Sequence, residues 1–194
     1  MSSNDTGRNV VNAFKVVYKT YENVQKLISY LQGQAIEMGK YICFSDKFLR
    51  WSSDRDIYGW AYSSFILVFQ NTNDKELENG WREGSVYALE IDLHTNDYAK
   101  INITKFDYAD MSSWTKGLSP SAHWVFCHPL YEERQVIDYK YDGAQYEGKI
   151  KNEGKSSQYW GLQRVVGFSV PLTDITADNA YDKIFGGFDV LAEK

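Results

Sequence analysis

Cysteine, proline and histidine are scarce in this chain, at two, three and three residues among 194. Two thiols, Cys43 and Cys127, are too few for the disulfide framework that staples small secreted domains, so a reducing, cytoplasmic setting is expected. The longest strongly apolar run, Phe65–Phe69, is far short of the roughly 20 residues that span a bilayer. The opening MSSNDTGRNVV has no basic segment followed by an apolar one, so neither a secretory signal nor a membrane partner is expected. Runs of Lys and Arg are also missing, and the net charge is −5 with a pI near 5.2. A protein that binds nucleic acid generally needs a basic face to displace counterions from phosphates, so that class is set aside. Phosphate loops, dinucleotide-binding glycine turns, H-E-x-x-H, paired C-x-x-C and G-x-S-x-G elbows do not occur.

What the chain has in excess is aromatic residues, 16% of the total, with 15 Tyr and 6 Trp. Such side chains fit half-buried pleated surfaces and also dominate recognition patches. An apolar share of 43% and a charged share of 24% are ordinary for a globular protein. One domain over residues 1–194 is expected, with 1–8 as a disordered tail.

The clearest periodicity lies at the start. Val10, Phe14, Val17, Tyr21, Val24, Ile28, Leu31, Ala35 and Met38 follow alternating steps of four and three, which places them on one helical face. Asn9 is the expected cap and Gly39 the expected stop. The face is expected to pack on the protein's own sheet, and its 3.5-residue spacing also admits a homodimer.

Beyond Gly39 the period becomes two. Ile57–Gln70 is rich in aromatic and branched residues, and its Phe65–Phe69 portion is apolar on both faces, as in a central strand covered on both sides. Ser85–His94 alternates, with Tyr87, Leu89 and Ile91 inward and Glu90, Asp92 and His94 toward solvent. A turn at Asn96-Asp97 leads into Lys100–Phe106. Ala122–His128 reads as a short strand. Val136–Tyr141 and Ala144–Lys151 read as a hairpin about a two-residue Asp142-Gly143 turn, with Tyr139 opposite Tyr146. A strand over Gln163–Val170 precedes a short helix, Ala177–Phe185, capped by Thr176 and ended by Gly186-Gly187. Helix, strands, helix is the α+β pattern, with a mostly antiparallel, strongly twisted sheet.

The leading functional expectation is a non-enzymatic binding protein that docks on a protein partner. Its contact patch is read as Trp81, Arg82 and Trp114, aromatics and a guanidinium in polar loops. A second reading is a hydrolase or nuclease dependent on Mg²⁺ or Mn²⁺, with Glu90, Asp92 and His94 on one strand face, completed by Asp107 or His123. The ~7 Å spacing of such residues along a strand weighs against their clasping one ion. A third is a small-ligand pocket between helix and sheet lined by Tyr21, Tyr139 and Tyr146. His123, Cys127 and His128 hold the chemistry of a nucleophile or soft-metal site. As a strand, however, their segment turns His128 away from the other two.

Overall fold

The computed structural model describes residues 3–51, 53, 55, 57–95, 97–130 and 136–194. The apolar stripe at the start lies on one unbroken helix, α1 (Ser3–Met38). Gly39 ends it at a φ of 65°, a left-handed geometry that glycine adopts without strain. The helix begins inside the stretch expected to be a disordered tail. Asp5 in its first turn meets the positive end of the helix dipole and favours helix there.

Seven strands follow: β1 (Tyr41–Cys43), β2 (Ser64–Asn71), β3 (Val86–Asp92), β4 (Lys100–Tyr108), β5 (Ile137–Asp142), β6 (Gln145–Ile150) and β7 (Leu162–Pro171). They form one sheet, antiparallel at each pairing, in the order β1-β2-β3-β4-β7-β6-β5. Short helices α2 (Ile57–Trp60), α3 (His123–Cys127) and α4 (Glu153–Gln158) lie in the connections, and α5 (Ala180–Ala192) closes the chain. The α+β class, the opening helix, the antiparallel sheet and the C-terminal helix all match expectation.

Both faces of the sheet are covered. On one, Val24, Ile28 and Leu31 of α1 and Phe185 and Phe188 of α5 pack on Phe65, Phe69, Leu89 and Ile103. On the other, loops and α3 bring Trp81, Trp114, Val125 and Phe126 onto Ile66, Val68, Ala88 and Phe106. Strand β3 is therefore buried along its whole length, and its Glu90–Asp92 side does not face water as expected. No helix among the described residues is long and apolar enough to cross a membrane.

Three local expectations need correction. The hairpin pairs Asp142 with Gln145, so its loop is Gly143-Ala144 and Tyr139 lies opposite Gly148, with Tyr146 opposite Tyr141. Gly143 takes the positive φ, 57°, and a Cβ on Gly148 would strike Ile137 and Tyr139, so the glycine makes room for the ring across from it. Residues 123–127 are helical, not extended. Ser119 accepts a hydrogen bond from the Ser121 N–H, and Pro120 stands where a first helical turn tolerates it. Finally, α5 runs straight through Gly186-Gly187, because Gly187 lies against Phe168 and Ile103 where a side chain would not fit. Asn96 of the expected turn lies outside the described residues.

Candidate functional site

Trp81 and Trp114 are core residues. Trp81 is fully buried, stacked on Phe44 at 4.4 Å, and donates its indole N–H to the Thr115 carbonyl at 2.9 Å. Trp114 stands edge-on to Trp81 at 4.9 Å and donates to the Trp160 carbonyl at 3.1 Å. The Asn79 amide clamps the loop by donating to the Met111 and Trp114 carbonyls. Arg82 donates inward to the Thr72 and Asp74 carbonyls and pairs with Glu76. Polar neighbours therefore close each loop on itself while its indole covers the sheet, and this trio is not an exposed contact patch.

Glu90, Asp92 and His94 do not converge. Glu90 is buried, accepting hydrogen bonds from Ser64 Oγ at 2.7 Å and Asn102 Nδ2 at 2.8 Å, while Ser169 Oγ donates to Asn102 Oδ1 at 2.6 Å. The result is a polar row across β2, β3, β4 and β7. Burial pushes the Glu90 carboxyl up to about 7, with the Asp92 charge adding to the effect and the hydrogen bonds from Ser64 and Asn102 opposing it. Asp92 is also buried and accepts from the His94 N–H, whereas His94 lies exposed past the strand end. Asp107 is tied to Ser85, Lys105 and Arg164 at the rim.

The tyrosines divide between faces. Tyr21 packs beneath α1 and donates to the Tyr62 carbonyl at 2.8 Å, while Tyr139 and Tyr146 pack against the opposite core. The pocket expected between helix and sheet from these three does not form. A cavity of about 180 Å³ lies instead beside the hairpin, lined by Tyr139, Tyr141, Tyr146, Asn102 and Ser169.

Two features remain. The first is an arm. From Tyr21 onward α1 is seated on the sheet, but Val10, Val11, Phe14, Val16, Val17 and Tyr18 stand outside it, each between 41% and 67% exposed. Where the arm leaves the body, a groove of about 470 Å³ runs between α1 and the 172–180 segment, lined by Thr20, Val24, Leu27, Leu172 and Ile175. The second is on α3, where the ligand atoms of His123, Cys127 and His128 lie within 4.8 Å of one another. The sequence signal for the helix that gathers them is the Ser119-Pro120 start together with buried Ala122, Val125, Phe126 and Pro129 at helical spacing.

No protein family, curated protein or solved structure matches this chain.

Proposed function

We propose that this is a binding protein that works as a pair, the arm of α1 docking antiparallel on the arm of a second copy. The observation that carries the reading is the arm itself. Six large apolar side chains in water on one helix form a patch of the kind that monomers avoid. Its spacing repeats that of the buried half, so the seam continues unbroken from the body into solvent.

Charge favours a second copy as the occupant. Positions flanking the Val10, Phe14, Val17, Tyr21 seam are Val11, Ala13, Tyr18 and Thr20, all uncharged. Arg8, Lys15, Lys19 and Glu22 point elsewhere, with Lys19 and Glu22 paired at 2.8 Å. Two identical helices laid along this seam meet no like charge, where a charged seam would repel its own copy. In an antiparallel pair the tip of each arm would lie near the partner's groove beside Thr20–Leu27, where the arm leaves the body. Cys43 and Cys127 form no disulfide, which suits a cytoplasmic setting.

Light-scattering mass across a concentration series tests the reading. The wild-type chain should show twice its own mass, and Phe14→Glu with Val17→Glu should give a single chain whose body still unfolds cooperatively, with helicity lost only from the freed arm. A single-chain mass for the wild type at every concentration defeats it, as does a dimer that survives both charges.

A further inference from the structure

We propose that His123, Cys127 and His128 bind one transition-metal ion of the zinc class. All three side chains come from a single turn of structure. Positions 123 and 127 are one helical turn apart on α3, and 128 follows where the helix tightens, so they share one side of the element. Their ligand atoms already lie within 4.8 Å of one another. In a tetrahedral site with metal–nitrogen bonds of ~2.0 Å and a metal–sulfur bond of ~2.3 Å, such atoms stand roughly 3.3–3.5 Å apart. Metal binding on this proposal draws the three ligand atoms together through side-chain rotation.

The donor set selects the ion. A thiolate with two imidazoles is soft to borderline, which suits Zn²⁺, Co²⁺ and copper, whereas Mg²⁺ and Mn²⁺ seek oxygen. No Asp or Glu among the described residues joins the group. Orientation is also prepared. His123 Nδ1 lies 3.2 Å from the Ser121 carbonyl. Since a carbonyl only accepts, Nδ1 carries the proton and Nε2 presents its lone pair to the metal, as in other histidine-ligated sites where the remote nitrogen is held by an outer partner. His123 and Cys127 are buried, and rings of Trp51, Trp124 and Tyr159 border the two histidines, giving the centre an apolar wall. On binding, the Cys127 thiol gives its proton to the buffer, and the three protein ligands leave a fourth position for water or a small donor. Cys43 packs on the other side of the sheet and takes no part.

The test uses the chain stripped by a chelator and kept in a phosphine reductant. Co²⁺ should bind one per chain with a thiolate-to-metal charge-transfer band, Zn²⁺ should displace it, and excess Mg²⁺ or Mn²⁺ should not. Cys127→Ser should abolish the band, His128→Gln should weaken Zn²⁺ binding by at least about tenfold, and Cys43→Ser should change nothing. The native chain gives a second readout that needs no variant. Zn²⁺ should slow alkylation of Cys127 but not of Cys43. Absence of the band at one equivalent overturns the proposal, as does its persistence in Cys127→Ser or Zn²⁺ binding that leaves Cys127 unprotected. None of these outcomes depends on whether the arms pair.

Discussion

Trp81 and Glu90 show how a residue's surroundings in space override its neighbours in sequence. Trp81 sits among Asn, Gly, Arg and Glu, yet it is the largest side chain fully enclosed by the fold. Its ring is held by Phe44 and Trp114 and its N–H by Thr115, so alanine leaves a void that these rigid partners cannot fill. Trp81→Ala should cost about 3–5 kcal/mol in urea unfolding, and Tyr98→Ala, at an exposed position, under about 0.5 kcal/mol. Equal midpoints for the two would put Trp81 outside the core. For Glu90 the consequence is a pH dependence. Its carboxyl sits at about 7 in the fold against 4.5 when exposed, so the folded state holds the proton more tightly. Its contribution to stability is full below about pH 4.5 and is lost as pH rises through 7, a change on the order of 3 kcal/mol. Asp92, which adds repulsion, and Lys100, which offsets it, are the charged groups acting on it. Glu90→Gln carries no charge, so its melting temperature should fall less than that of the wild type between pH 5 and 8. Parallel curves for the two proteins would mean that Glu90 ionises as freely as an exposed carboxyl.

At the scale of elements, α5 sets two adjacent glycines against each other. Gly186 has nothing within 4 Å of where a Cβ would stand, while a Cβ on Gly187 would lie 2.9 Å from Phe168 and 3.3 Å from Ile103. Gly186→Ala should raise stability by about 0.5–1 kcal/mol through backbone entropy. Gly187→Ala should lower it, because the helix must lift from β4 and β7. Equal thermal shifts for the pair would refute the close approach. The same contrast explains what could be read in advance. The stripe of α1 was legible because its burial repeats at the helical period, and the β2 run because it is apolar on both faces. The alternating letters of β3 marked a strand but not its burial, which covers both faces. The stop assigned to Gly186-Gly187 was wrong because the glycine's purpose lies across a layer, in Phe168 and Ile103. The hairpin register slipped because Gly148 opposite Tyr139 weighs more than the Asp-Gly turn preference. The β-prone letters of HWVFC hid a helix whose start, Ser119-Pro120, lies upstream of the segment. That misreading separated His128 from His123 and Cys127, and so concealed the one trio of metal-ligating side chains that the fold gathers among the described residues.

Taken whole, the molecule is one sheet with an apolar layer on each face and a helical lever projecting from one edge of the packing. Body and arm should differ in stability by far more than any two parts of the body. Residues 3–20 make a helix of roughly 27 Å, and a helix near this length without tertiary support is marginal in water. Arg8, Lys15 and Lys19 are exposed along it. In a lone chain the arm should therefore open locally and be cut by trypsin at these sites long before the body, since cleavage tracks the population of the open form. Pairing closes that route, because a docked arm must first dissociate. The fractional rate of arm cleavage should thus fall as protein concentration rises, at a fixed protease-to-protein ratio, and become concentration-independent once Phe14→Glu and Val17→Glu are in place. Mass spectrometry of the early fragments supplies the readout. A wild-type arm that is cut equally fast when dilute and when concentrated has no second copy on it, whereas a slowing that vanishes with the two glutamates assigns the protection to the seam.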